Sequence, residues 1–339
     1  MNTVFNEYAH KRYNSLTGEW VLVSPHRTKR PWQGQEEAPI VQERPSYKAT
    51  CYLCPGNERA GGKQTPVYEQ TYVFENDFAA LQKGIEPFEM QDGLLRAKSE
   101  QGICKVLCFS PDHSKTLADL DLDAIKVVIQ AWQQEFKSLS ELPQINYIQI
   151  FENKGAMMGC SNPHPHGQIW AQESLPNEVQ KKDIQQKDYY KKHQESLLTA
   201  YLKQEEEAQE RIIYSNAHFV VVVPFWAVWP YETMIVPKRK QATILEMTTE
   251  EQQAFAEALQ RLTLAYDKVF DCSFPYSSGI HQAPVDGASQ AHWHWHMCFY
   301  PPLLRSATVK KFMVGYEMFG MPQRDITAEM AAKKLRSLV

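Results

Sequence analysis

Cys160-Ser161-Asn162-Pro163-His164-Pro165-His166-Gly167-Gln168 holds one histidine between two prolines and sets a second beside a glycine. Proline fixes its own φ and pushes the residue before it toward extended backbone, so both rings start with little freedom. Gly167 leaves room for a substrate close to His166. Imidazole is largely neutral and nucleophilic at about pH 7, and a phosphorus adduct on its nitrogen leaves again easily, which suits a double-displacement transfer. The plainer reading of a His-x-His segment is a pair of buried, hydrogen-bonded rings. The flanking prolines and Gln168 turn the reading toward catalysis.

Working outward, further segments follow one another: Ser24-Pro25-His26-Arg27-Thr28-Lys29-Arg30-Pro31-Trp32-Gln33-Gly34, Phe109-Ser110-Pro111-Asp112-His113-Ser114-Lys115-Thr116-Leu117, Phe151-Glu152-Asn153-Lys154-Gly155 and Pro301-Pro302-Leu303-Leu304-Arg305-Ser306-Ala307-Thr308-Val309. With His164-Pro165-His166 and a glutamine in the third histidine-triad position, the chain resembles the galactose-1-phosphate uridylyltransferases of the histidine-triad superfamily. Long ordered matches are more specific than one short motif. The resemblance implies exchange of UMP between UDP-glucose and galactose 1-phosphate, giving UDP-galactose and glucose 1-phosphate, through a covalent uridylyl-histidine. In that scheme His166 attacks, the backbone carbonyl of His164 orients its ring, and Gln168 donates to a phosphate oxygen. Two alternatives stay open: a related nucleotidyltransferase or dinucleotide phosphorylase with an adenylyl donor, and a non-catalytic nucleotide-binding zinc module.

The 339 residues, 43% of them apolar, suffice for two domains or one duplicated unit with a substantial core. No apolar run approaches the ~20 residues that span a bilayer, so no membrane partner is expected. Met1-Asn2-Thr3-Val4-Phe5-Asn6-Glu7 lacks the pattern of a secretory signal. Seven cysteines without an export signal point to reduced thiols or metal ligands and to the cytoplasm. A net charge of −4 gives no general attraction to nucleic acid.

The order of elements repeats. Strand-like Lys105-Val106-Leu107-Cys108-Phe109 precedes a helix with Leu122, Ile125, Val128, Ile129, Trp132 and Phe136 on one face, then a strand from Tyr147 to Phe151 and the His-Pro-His motif. Later, a strand over Glu232-Thr233-Met234-Ile235-Val236-Pro237 precedes a helix opened by the capping box Thr248-x-x-Glu251, with Phe255, Leu259, Leu262, Tyr266 and Val269 on one face. His292-Trp293-His294-Trp295-His296 follows. The expected fold is α+β: a duplicated histidine-triad-like fold, largely antiparallel sheet with helices packed on it, with halves at 1–178 and 179–339. Charged Glu178 to Arg211 reads as one surface helix joining them.

Cys51-Tyr52-Leu53-Cys54 is a Cys-x-x-Cys knuckle that alone stays open between metal site and redox pair. The resemblance supplies His113 and His164, completing a Cys2His2 zinc site that braces the catalytic loop. Some family members hold iron through an acid and three histidines. Lys182, His281, His296 and Cys298 stand at those positions, so no such iron site is expected, leaving a weaker one with His281, His296 and a nearby acid such as Glu178 or Asp183. An alternating strand with its tryptophans in the core is an equal reading of His292 to His296. No organic cofactor is implied. Asn76, Asp77, Asn153, Gly159, Cys160, Ser161 and Gln168 match the uridine diphosphate subsite, and Lys311, Phe312, Tyr316, Glu317 and Gln323 match the hexose phosphate subsite. Arg27, Lys29 and Arg30 match a segment that reaches the neighbouring subunit's nucleotide, implying a homodimer with shared active sites.

Overall fold

The apolar stripe from Ile125 to Phe136 is buried as its three- and four-residue spacing predicts, with Asp121 capping the helix through Ala124 N at 2.8 Å. In this computed structural model residues 4–29 and 44–339 are described. Among them the chain runs α1 (Val4–Glu7), β1 (His10–Asn14), β2 (Glu19–Val23), β3 (Tyr72–Glu75), β4 (Glu89–Asp92), β5 (Leu95–Lys98), β6 (Gly102–Cys108), α2 (Leu122–Ser140), β7 (Tyr147–Lys154), β8 (His166–Gln172) and α3 (Asn177–His193). It continues with α4 (Leu197–Ala208), β9 (Ile212–Ser215), β10 (Phe219–Val222), β11 (Thr233–Pro237), α5 (Thr249–Val269), β12 (Tyr276–His281), β13 (His296–Tyr300), α6 (Tyr316–Phe319), β14 (Gln323–Arg324) and α7 (Ala328–Arg336).

Nine strands form one antiparallel sheet in the order β3-β6-β8-β7-β12-β13-β11-β10-β9. The order is mirrored about the β7–β12 pair: β8 lies between β6 and β7 as β13 lies between β11 and β12. This is the α+β, largely antiparallel fold expected. Successive strand side chains alternate faces, so Ile148, Ile150, Ile169, Ile280, Met297 and Phe299 share one face with the buried sides of α2, α5 and α7. Thr248 and Glu251 close the predicted capping box of α5. A small sheet, β1-β2-β14, and the hairpin β4-β5 stand apart.

Glu178 to Arg211 departs from the single solvated helix expected. Gln194 adopts a left-handed conformation (φ 55°) that ends α3, and Ser196 caps α4 through Thr199 N at 3.1 Å. Leu197, Leu198, Tyr201 and Leu202 are buried against Val220, Val222, Met234 and Val236, on the sheet face opposite α5. Lys182 and Gln186, which composition marks as surface, are buried too. Of His292 to His296 only His296 is in a strand, although Trp293 and Trp295 are fully buried. No described helix is long and apolar enough to cross a membrane.

Candidate active site

The turn from Gly155 to Pro165 delivers His166 to the first position of β8. His166 Nδ1 donates to the backbone carbonyl of His164 at 2.7 Å, which leaves Nε2 with its lone pair. Burial, opposed by that carbonyl bond, holds the imidazole below its ordinary pKa and therefore neutral. Two clefts meet at this ring, and Ser161 lines both.

One cleft, of about 340 Å³, is lined by Phe74, Asn76, Asp77, Phe78, Val106, His166 and Gln168. Asn76 accepts from Phe78 N at 2.9 Å, and Asp77 pairs with Lys63 at 3.0 Å. Gln168 Oε1 accepts from the Trp170 indole N–H at 3.1 Å, so its NH2 remains available as a donor. The other cleft, of about 220 Å³, brings Asn153, Cys160 and Ser161 together with Arg44, Lys115 and Lys154 beside His166. Asn153 accepts from Ser277 of the second half at 2.6 Å, and the Cys160 thiol donates to Asn162 O at 3.0 Å. Gly159, at φ 78°, ends the short turn and lines neither cleft. The space at Gly167 is not open to a substrate: a Cβ there would lie 2.9 Å from the Phe109 ring and 3.0 Å from Phe151 O.

Cys51, Cys54, His113 and His164 are all buried, their donor atoms within 4.8 Å of one another. An ion bonded to sulfur at about 2.3 Å and to nitrogen at about 2.05 Å in a tetrahedron sets S···N edges of roughly 3.5–3.6 Å. Cys54 Sγ lies 3.5 Å from His113 Nδ1 and 3.6 Å from His164 Nδ1. Burial, then repulsion from His113, pushes His164 down to about 4, the neutral ligating form. Burial pushes the Cys54 thiol up to about 11, so a cation is what would favour its thiolate. The donor set therefore fits a closed, four-coordinate metal.

Two residues that sequence reasoning passed over support this knot. With Nδ1 toward the metal, His164 carries its proton on Nε2 and donates to Tyr68 Oη at 2.8 Å, while the Tyr68 hydroxyl donates to Leu53 O at 2.8 Å. Asn162 Nδ2 donates to Cys51 Sγ at 3.4 Å and its Oδ1 accepts from His164 N at 3.0 Å, tying the knuckle to the loop that leads to His166. The Tyr68 contacts carry no spacing signal, whereas Asn162 two residues before His164 makes a local Asx-type contact.

Among the described residues, the remaining expected ones line neither cleft. Lys311 contacts Glu317 and reaches Gln323 Oε1 at 3.3 Å; Gln323 donates to Asp325 at 2.7 Å, and Arg27 pairs with Asp325 at 3.1 Å. Lys311, Glu317, Gln323 and Arg27 thus form one cluster of their own, joined through Asp325. Phe312 and Tyr316 are exposed. Lys29 ends a short 3-10 turn, and Arg30 lies outside the described residues. His281 and His296 face each other across β12 and β13, but Lys182 Nζ lies 3.1 Å from His296 Nε2. Asp183 is engaged by His292 at 2.6 Å and Trp293 at 2.7 Å, and Glu178 by Lys181 at 2.8 Å, so neither acid serves that pair.

Fold and cleft define a class first: an α+β protein with one mirrored antiparallel sheet and a histidine where two clefts meet. The family description galactose-1-phosphate uridyl transferase, N-terminal domain, matches residues 2–176, and its C-terminal domain matches 181–339. The chain is 51% identical over 333 residues to the galactose-1-phosphate uridylyltransferase of Haemophilus influenzae, covering 98% of this chain and 95% of that protein. It is 46% identical over 350 residues to the enzyme of that name from Saccharomyces cerevisiae, covering 98% and 95%. Among solved structures, a uridylyltransferase superposes with TM-score 0.76 at 27% identity over 97% of both chains. An ADP-glucose phosphorylase from Arabidopsis thaliana with bound ADP-glucose gives TM-score 0.78 at 25% identity, over 98% and 99%. The chain belongs to the galactose-1-phosphate uridylyltransferase family.

Proposed function

We propose that this enzyme exchanges UMP between UDP-glucose and galactose 1-phosphate through a uridylyl group carried on His166. The observation that carries the reading is the 2.7 Å bond from His166 Nδ1 to His164 O, which presents Nε2 where the two clefts meet. In the first displacement Nε2 bonds to the α-phosphorus as the bond to the glucose 1-phosphate oxygen breaks. In the second, a phosphate oxygen of galactose 1-phosphate attacks the same phosphorus and the P–N bond breaks. The His164 carbonyl stabilises positive charge as it develops on the ring, and the free Gln168 NH2 donates to a phosphate oxygen. Asn76 and Asp77 suit the nucleoside, while Lys115, Lys154 and Arg44 suit the phosphate that leaves and returns. Relatives at 46–51% identity favour the uridylyl donor over the adenylyl donor suggested by the phosphorylase at 25%.

The Cys2His2 knot is read as structural zinc: the metal would supply rigidity to the loop that ends in His166, with all four positions taken by protein. A homodimer with shared sites is the proposed state. Its support is that Lys311, Glu317, Gln323 and Arg27 cluster away from the His166 clefts, and that the neighbouring Phe312, Val314, Tyr316, Met318 and Phe319 are 53–92% exposed. The halves are read as duplicates meeting near residue 178, and the free cysteines accord with a reducing cytoplasm.

The test is incubation with UDP-glucose labelled in its uridylyl part. An acid-labile, base-stable label on the His166 peptide, released by galactose 1-phosphate, is expected, and His166→Gly should pass UMP only from added uridylyl-imidazole. Label on another peptide, or kinetics requiring both substrates before any product leaves, would overturn the nucleophile.

A further inference from the structure

The mirrored sheet allows the two halves to be compared strand by strand. His166 opens β8, and His296 opens β13, the matching strand of the second half. Each ring is tethered identically: His166 Nδ1 to His164 O at 2.7 Å, and His296 Nδ1 to His294 O at 3.2 Å. Cys298 then stands where Gln168 does, two residues on and on the same face. In the first half that face is the open nucleotide cleft. In the second half α3 and α4 cover it.

His296 Nε2, the atom that corresponds to the nucleophile, accepts from Lys182 Nζ at 3.1 Å. Lys182 is 4% exposed and His296 not at all, so no water replaces either. The His281 ring stacks on His296 at 5.2 Å between centroids. The donors do not fit a second metal: among the described residues the only group of three or more metal-binding side chains within reach of one another is the Cys2His2 knot. Where a divalent ion would need a carboxylate, this chain supplies the amino group of Lys182, a hydrogen-bond donor.

We infer that the second half is a sealed copy of the nucleophile site, in which the Lys182 amine permanently caps His296 and braces α3 to the sheet in place of a metal. The inference rests on reading the halves as duplicates and is independent of the reaction at His166. A buried imidazole acceptor stripped of its donor should lower the Tm of a chain of this size by roughly 1–4 °C.

The experiment compares Lys182→Met, which keeps the stem but removes the donor, with Lys182→Gln, which retains an N–H. Expected are a lowered Tm for Lys182→Met, at least partial recovery in Lys182→Gln, and one metal per chain in wild-type protein prepared with excess iron and zinc. UMP labelling of His166 should persist in both variants. A Lys182→Met protein as stable as wild type, equal losses in the two variants, or a second stoichiometric metal that disappears in His281→Ala would each overturn the inference. Loss of labelling in wild type would instead count against the proposed reaction alone.

Discussion

Replacing Tyr68 with phenylalanine removes one oxygen and leaves the ring in place. That oxygen joins two buried groups, the His164 Nε2–H and the Leu53 carbonyl, each at 2.8 Å, and Tyr68 is only 8% exposed, so water does not substitute. A buried group that loses its partner costs about 1–3 kcal/mol, partly offset because the hydroxyl itself no longer has to be desolvated. A net loss of about 2 kcal/mol is expected, or roughly 30-fold in metal retention at 1.4 kcal/mol per tenfold. That falls within the roughly 10–100-fold typical for partners of metal-bound histidine. The assay is metal retained against increasing chelator, with uridylylation measured separately on fully metal-loaded protein. Retention within about threefold of wild type would refute the hydroxyl's part in orienting His164.

Trp170→Phe frees the Gln168 amide to turn, and loss of one hydrogen bond of about 0.5–1.5 kcal/mol should lower kcat/KM by roughly 2- to 12-fold with metal content unchanged; an unchanged rate means the indole does not set the amide. Burial alone would raise Glu329, but its paired bonds to Arg12, both 2.9 Å, and a contact from Arg211 hold it down to about 2. A depressed carboxylate stabilises above its unfolded pKa, so on the order of 3 kcal/mol should be lost as pH falls from about 4.5 toward 2, and Glu329→Gln should lack that slope in acid-unfolding curves. Mixing an Arg27 variant with a His166 variant should restore activity in hybrid dimers; confirmed subunit exchange without recovery removes the shared site.

What could be read from residue order was whatever repeats along one element. α2 and α5 were legible because Ile125, Val128, Trp132, Phe255 and Leu262 recur at helical spacing and, for α5, a capping box precedes them. The Cys51–Cys54 knuckle was legible by local spacing, whereas His113 and His164 needed a family resemblance because the chain returns to them from elsewhere in the fold. Tyr68 acts only through space, 96 residues from His164 in the chain. The helices α3 and α4 depart from a solvated face because their buried sides include Lys182, Gln186 and Glu205, polar groups whose partners are His296 Nε2, His294 N and Arg211 in place of water. Gly167 was credited to the substrate when Phe109 and the Phe151 carbonyl occupy its space.

The β7–β12 pairing makes the junction between the halves a run of backbone hydrogen bonds, with Gly279 opposite Phe151 and Ile280 opposite Ile150. A hinge has no place there, so the cleft at His166 does not open by one half swinging on the other. Cutting the chain between the halves would bare one unsatisfied strand edge on each piece, and because the order is mirrored these edges have the same relation to their own halves. A lone first half would therefore carry the means of pairing with itself, edge to edge about a twofold axis.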